Sequence, residues 1–209
     1  DDAEKNELEF IKRLLTKFKK KKLIINKKNL GVAKSRNKAL KFCTGNYSAF
    51  IDSDDIWKKD KLMKQINYML KFSKDFTYTS YDVINENNKI LNVRKVQGNA
   101  NYKQLLRSNY IGLSTVVFSK KIYSKMKFPI LKTQEDFGLW LSLLRKGVPL
   151  NSINMSLSAW RKTEKSLSSN TFQKVKDAFK LFYIYENKNF ILSIFSVLVL
   201  SYNKIFKYY

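Results

Sequence analysis

The sequence of 209 residues contains no histidine. That absence removes Ser-His-Asp and Cys-His nucleophilic chemistry and every histidine-ligated metal site. Carboxylates are left as the natural general bases. One cysteine, Cys43, allows neither an internal disulfide nor a cysteine-zinc cluster, and it fits a reducing compartment. Two prolines and six glycines exclude collagen-like and flexible-linker segments. Acidic residues are scarce: 17 Asp and Glu stand against 41 Lys and Arg, for a formal charge of +24. A field of that sign calls for an anionic partner, whether nucleic acid, an anionic membrane face or a phosphorylated substrate. Long apolar runs are also lacking. The best, 190–202, is broken by Ser193, Ser196 and Ser201 and is shorter than the roughly 20 residues of a spanning helix. The opening Asp1-Asp2-Ala3-Glu4 lacks the basic-then-apolar order of a signal peptide. What the chain does have is core material: 44% hydrophobic residues, with 15 Phe, 12 Tyr and 3 Trp. That excludes general disorder and fits one domain with a small appendage.

Apolar spacing predicts an amphipathic helix over 7–18, with Leu8, Ile11, Leu14, Leu15 and Phe18 on one face. Leu23-Ile24-Ile25 reads as a short strand, 32–42 as a second helix and 47–51 as a buried strand. Residues 59–72 form a helix with Leu62, Ile66, Met69 and Leu70 inward. Residues 76–84 are β-rich and lead into a turn at 85–88, which suggests a hairpin. A short helix over 102–108, a strand at 114–118, a helix over 135–145 and an extended stretch at 157–161 follow. Two apolar-basic helices, 171–185 and 189–206, end the chain. The alternation of helix and strand in the first half predicts an α/β sheet with parallel strands. Residues 1–165 make the main domain and 166–209 an appended helical pair.

The most informative feature is Asp52-Ser53-Asp54-Asp55, directly after the apolar strand 47–51. Three carboxylates in four residues repel one another, and a hard cation such as Mg²⁺ or Mn²⁺ explains their proximity. Strand ends are also where ligands bind in open α/β sheets. The plainer reading is a solvated turn with an Asp helix cap. Glu135-Asp136 has the same ambiguity: a catalytic pair, or an acidic first turn favoured by the helix dipole.

Taken in order, the segments resemble one family. They are Asn29 to Leu40, Thr44-Gly45-Asn46-Tyr47, Ala49 to Trp57, Lys61-Leu62 with Gln65, then Asn109, Ile111-Gly112, Ser114-Thr115 and Gln134 to Leu141. Gly147, Trp160-Arg161 and Ser166-Leu167-Ser168 complete the set. Across about 29–170 this order resembles the family 2 glycosyltransferases. The resemblance implies the GT-A fold, a Rossmann-like mixed sheet flanked by helices, here with a C-terminal helical appendage. It implies transfer of a hexose or N-acetylhexosamine from a nucleotide sugar, with UDP as the nucleotide. It also implies inversion at the sugar and a surface-polysaccharide, lipopolysaccharide or lipid-linked glycan as the acceptor.

By the same resemblance, Asp52-Ser53-Asp54 is the metal-binding motif. Asp54 would ligate Mn²⁺ or Mg²⁺ at the donor diphosphate, and Asp52 would contact the ribose or support the ion. Asp136 would be the general base and Glu135 its acidic neighbour. Arg36 would lie near the nucleotide base and Arg161 would face the diphosphate. Gly112 belongs to the acceptor side, and Trp140 would be a wall of that site. If Asp1-Asp2 is the family's acidic pair, Asp2 contacts the base. The first strand, first helix and most of the second strand then fall outside this sequence.

In the tail, lysines such as Lys174, Lys176, Lys180 and Lys188 interleave with Phe172, Phe179, Phe182 and Phe190. That pattern suits peripheral contact with an anionic membrane through 172–209, which would place the protein on the inner face of the plasma membrane. It also suits packing on the domain or on a second subunit as a homodimer. Two competing functions stand beside transfer: a remnant that no longer turns over, and a nucleic-acid-binding protein. No helix-turn-helix, zinc-finger or stacking-sheet signature supports the latter, so no nucleic-acid partner is expected.

Overall fold

The computed structural model describes residues 5–163 and 170–206. Asp2 and the Ser166-Leu167-Ser168 segment lie outside them. Helix α1 (Lys5–Leu15) and helix α2 (Val32–Leu40) precede a six-stranded sheet. Its strands are β1 (Tyr47–Ala49), β2 (Ile56–Trp57), β3 (Phe76–Ile84), β4 (Ile90–Arg94), β5 (Val117–Ser119) and β6 (Asn151–Arg161). Helices α3 (Lys61–Lys71), α4 (Tyr102–Leu105) and α5 (Glu135–Arg145) lie between strands. Helices α6 (Thr171–Lys180) and α7 (Phe190–Phe206) follow, with a π-helical turn, Leu181–Tyr185, continuing α6.

The strand order is β1-β5-β3-β6-β2, with β4 paired to the far half of β3. Only β3 and β6 run parallel; the other pairs among the described residues are antiparallel. The sheet is therefore mixed and mostly antiparallel, not the parallel one that helix-strand alternation suggested. The reason lies in the connections. Strands β3 and β4 are joined by a tight turn with Asn88 at φ 62°, which reverses the chain as a hairpin must. The long excursion between β3 and β6 carries α5 and allows their parallel pairing.

Two local expectations fail. Leu23-Ile24-Ile25 forms no strand, and Leu23 and Ile25 are exposed, because no neighbouring strand pairs with them. Helix α3 buries Met69 as expected, but beside it Lys61 and Gln65, and it leaves Leu62 and Leu70 exposed. The buried Gln65 amide donates to Thr77 Oγ1 at 3.1 Å and to the Thr115 carbonyl at 3.0 Å. Those partners make an inward-facing polar side chain tolerable.

The core forms where α5 crosses the sheet. Phe137, Leu139, Trp140, Leu141 and Leu143 are fully buried, with Phe76, Tyr78, Phe118 and Phe128 opposite. Gly138 allows the close approach: a Cβ there would lie 2.5 Å from Pro129 and 2.9 Å from Leu181. Leu181, Phe182 and Val197 belong to the same cluster, so the helices after residue 170 pack on the α5 side of the domain. Removing these large side chains from water is the main stabilising term.

Candidate active site

The site is organised around Arg36. Its position on α2 is fixed locally: the Asn37 side chain donates to the Phe128 carbonyl and accepts from the Phe128 N–H, both at 2.9 Å. From there Arg36 Nη2 reaches Asp52 Oδ1 at 2.6 Å, and Nη1 donates to Glu135 Oε1. The carboxylates expected from two motifs 83 positions apart (135 minus 52) thus meet on one guanidinium. Burial alone would disfavour the Arg36 charge, but Asp52, Glu135 and Asp136 outweigh it and hold the group charged.

Asp52 and its neighbours sit in a turn just beyond β1, closed by the Asp55 N–H donating to the Asp52 carbonyl at 3.1 Å. Ser114 supports this turn from the 3₁₀ segment Leu113–Thr115. Its hydroxyl accepts from the Asp52 N–H at 3.1 Å and bonds the Asp55 carboxylate, and its carbonyl accepts from Trp57 Nε1 at 2.7 Å. Burial pushes the Asp55 carboxyl up to about 6, while hydrogen bonds from Ser114 and the Arg161 N–H oppose the rise. Ser53 and Asp54 are exposed.

Arg161 reaches the same loop but grips backbone. Nε donates to the Asp54 carbonyl at 2.9 Å, and Nη1 donates to the Asn85 and Glu86 carbonyls at 3.0 and 3.1 Å. Nη2 donates to Asn88 Oδ1 at 2.8 Å, and the Arg161 N–H donates to Asp55 Oδ1 at 3.1 Å. The residue expected to face a diphosphate therefore ties the acidic loop to the β3–β4 turn.

Glu135 and Asp136 open α5, where unpaired helix N–H groups favour negative charge. Burial pushes the Asp136 carboxyl up to about 7, reinforced by Glu135 and opposed by Arg36. Its Oδ1 accepts from the Phe137 N–H at 2.6 Å. Burial also raises Glu135, against the pull of Arg36. The start of this helix is held from outside. The buried Asp177 of α6 accepts from the Thr133 N–H at 2.9 Å, from Thr133 Oγ1 at 3.0 Å and from Gln173 Nε2 at 2.9 Å. Gln134, at φ 61°, donates from its side chain to the Lys174 carbonyl at 2.9 Å.

Gly112 lies where a Cβ would be 3.4 Å from the Tyr81 ring. Tyr81 is a site residue that no motif indicated. Burial pushes its hydroxyl up to about 12, with Asp136 and Asp55 adding to that and Arg94 opposing it. Trp140, in contrast, is not a wall. It is fully buried, stacked edge-on against Phe76 with ring centroids 5.3 Å apart, and its Nε1 donates to the Ile111 carbonyl at 3.2 Å. It holds the Gly112 segment against α5 from behind. Lys61 was also missed as a buried charge. It is fully buried, its Nζ has no hydrogen-bond partner and sits 4.5 Å over the Trp57 ring, and burial pushes it down to about 7.

Among the described residues no group of three or more Asp, Glu or Cys side chains forms a ready metal cage. The oxygen donors of Asp54 and Asp52 nevertheless suit a hard cation that takes one or two protein carboxylates and completes its shell with phosphate and water. No helix among the described residues is long and apolar enough to cross a membrane.

Comparison with known proteins places this architecture. The chain is 39% identical over 157 residues to an Escherichia coli protein named UDP-Glc:alpha-D-GlcNAc-diphosphoundecaprenol beta-1,3-glucosyltransferase WfgD, covering 74% of this chain and 61% of that one. It is 35% identical over 158 residues to a Bacillus subtilis protein named putative teichuronic acid biosynthesis glycosyltransferase TuaG, covering 75% and 62%. The chain thus spans less than two thirds of the length of these relatives. Among solved structures, S. aureus TarS 1-349 in complex with UDP-GlcNAc superposes with a TM-score of 0.72 at 15% identity, over 100% of this chain and 62% of that one. The mannosyltransferase PcManGT from Pyrobaculum calidifontis, in complex with GDP-Man and Mn2+, gives 0.62 at 10%, over 98% and 64%. The mixed sheet and its flanking helices are those of the GT-A fold. With the Glycosyl transferase family 2 model matching residues 1–129, the chain belongs to that family.

Proposed function

We propose that this chain carries the donor and acceptor carboxylates of an inverting glycosyltransferase. It would move a hexose or N-acetylhexosamine from a UDP-sugar to a lipid-linked or cell-envelope glycan. The observation that carries this reading is the Arg36 bridge, which gathers Asp52, Glu135 and Asp136 into one charged cluster. The naming of the relatives for UDP-glucose, a diphosphoundecaprenol acceptor and teichuronic acid supports the donor and acceptor classes.

In this mechanism Asp136 accepts the proton of the acceptor hydroxyl. A base held near 7 suits that task, because it is available at neutral pH and still basic enough to act. The hydroxyl oxygen bonds to the anomeric carbon from the face opposite the diphosphate. The bond from that carbon to the phosphate oxygen breaks, and the electron pair leaves with the nucleoside diphosphate. Asp54, aided by Asp52, would hold Mn²⁺ or Mg²⁺, whose charge neutralises the departing diphosphate. Arg36 engages only Oδ1 of Asp52, which leaves the other carboxylate oxygen for that second role. Arg161 keeps the acidic loop at its height on the sheet.

The apolar residues that α7 turns outward support a peripheral membrane role for 172–209 on the inner face of the plasma membrane. Calorimetric titration of UDP with and without Mn²⁺ tests the donor site. Wild type is expected to bind UDP in a metal-dependent manner, and Asp54→Ala is expected to lose the metal dependence. A folded wild type that binds no UDP under either condition overturns the assignment for this chain.

A further inference from the structure

Helix α7 is built inside out. Its inward face carries Ser193, Ser196 and Asn203 beside Val197, all buried. The two serines donate to carbonyls of their own helix, Asn189 at 2.8 Å and Leu192 at 2.7 Å, so neither needs water. The outward face carries Phe190, Ile191, Phe195, Leu198, Tyr202 and Phe206, each more than half exposed. At 100° per residue these six fall within one half of the helix circumference. A helix facing water arranges itself the other way.

Beside that face, α7 and the segment around α4 enclose an open cavity of about 450 Å³. Lys103, Arg107 and Lys188 supply its charge, Leu106 and Phe195 its apolar lining, and no carboxylate lines it. Asn203 Nδ2 donates to the Arg107 carbonyl at 3.0 Å, which fixes the two walls together. Lys188 Nζ donates to Ser196 Oγ at 2.8 Å and lies 4.8 Å from the Phe182 ring centroid, which holds the third cation in place. Among the described residues neither the Lys103 ammonium nor the Arg107 guanidinium is ion-paired. Three cations at the mouth of an apolar surface match a phosphate whose ester carries hydrocarbon chains.

We propose that this cavity is a headgroup site for an anionic phospholipid of the bilayer. The phosphate sits among Lys103, Arg107 and Lys188, and the acyl chains run over Phe195 and the outward face of α7. The proposal rests on the peripheral membrane reading above and adds a specific site to it.

Co-sedimentation of the full chain with vesicles tests it. The vesicles are phosphatidylcholine alone, or phosphatidylcholine mixed with phosphatidylglycerol, at physiological salt. Three double variants are compared after circular dichroism confirms their fold. Lys103→Ala with Arg107→Ala removes two of the cavity's three cations. Lys19→Ala with Lys21→Ala removes the same charge from the exposed segment after α1. Phe195→Ser with Leu198→Ser breaks the apolar face. Wild type is expected to bind the phosphatidylglycerol vesicles, and the cavity variant to bind them about tenfold more weakly. The Lys19/Lys21 variant should change binding less than twofold, and the apolar-face variant should not bind. Equal losses in the two lysine-bearing variants overturn the headgroup site while leaving membrane attachment in place. Absence of vesicle binding by wild type overturns both. In that outcome, sedimentation that shows a dimer dissociated by the Phe195/Leu198 variant assigns the face to a second copy of the chain.

Discussion

Arg36 and Arg161 both contact the acidic loop and use the same guanidinium fork differently. Arg36 meets carboxylates, Asp52 on one side and Glu135 on the other. Arg161 meets carbonyls of Asp54, Asn85 and Glu86 and one amide oxygen, that of Asn88. A carboxylate contact tunes charge and can be exchanged for another ligand. A set of carbonyl contacts fixes where backbone lies and is exchanged only by moving the loop. Lys61 extends the series to a buried cation that meets only an aromatic ring.

The largest effect is expected at the carboxylate that Arg36 helps to tune. Asp136→Asn should lower the transfer rate by about 10²–10⁴-fold, the usual contribution of a positioned base. It should also change stability. The folded chain holds the Asp136 proton up to about 7, whereas the unfolded chain releases it near the ordinary carboxylate range. The unfolded state then binds fewer protons in that window, so wild-type stability falls as pH rises through it. Urea unfolding across pH should show that fall in wild type and a shallower one in Asp136→Asn.

Arg36→Ala comes next. It leaves Glu135 and Asp136 buried without their counter-charge, at a cost of about 3 kcal/mol in chemical denaturation. It should also move the acidic limb of the pH–rate profile upward by about one unit, because the cation that opposes the Asp136 shift is gone. An unmoved limb would separate Arg36 from the base.

Arg161→Ala should cost less, about 1–2 kcal/mol, and should leave the pH limb where it is. Arg161→Lys should fail to restore stability, because an ammonium cannot span three carbonyls and an amide in one plane. Rescue by lysine would mean that charge, not the fork, is what matters there.

The smallest effect on the transfer rate is expected at Lys61, which acts on stability through pH. Its folded pKa is about 7 and the unfolded side chain titrates near 10, so the unfolded state binds more protons between those values. Stability should rise with pH across that window, by at most about 1.4 kcal/mol per unit. Lys61→Met, which keeps the stem over Trp57, should flatten the slope.

The parts of this molecule that were legible in the sequence are those where neighbours along the chain do the work. The acidic turn after an apolar strand, the acidic start of α5 and the hairpin at Asn85–Asn88 are all local patterns, and each forms where expected. The parts that were not legible depend on distant partners. The inward face of α3 is polar because Thr77 and the Thr115 carbonyl, from other elements, receive Gln65. Tyr81 reads as one more β-strand aromatic until the fold places Gly112 against its ring. Asp177 reads as a lone acid in a basic helix, and only the packing of α6 reveals the Thr133 contact. Trp140 was placed correctly on its helix but on the wrong face, since helical spacing does not say which side the sheet will cover. Arg161 was expected to face the diphosphate; its bonding to loop carbonyls depends on the turn that it meets.

The Asp177–Thr133 contact bears on how this protein is cut for experiments. Every motif residue of the described chain lies before residue 162, so a boundary drawn from motifs would discard α6 and α7 as an accessory tail. That cut would also remove the carboxylate that holds Thr133 and the Lys174 carbonyl that receives Gln134, the two residues leading into Glu135 and Asp136. A clone trimmed there would keep the full signature and lose the footing of its base, so its inactivity would be misread as a defect of the chemistry.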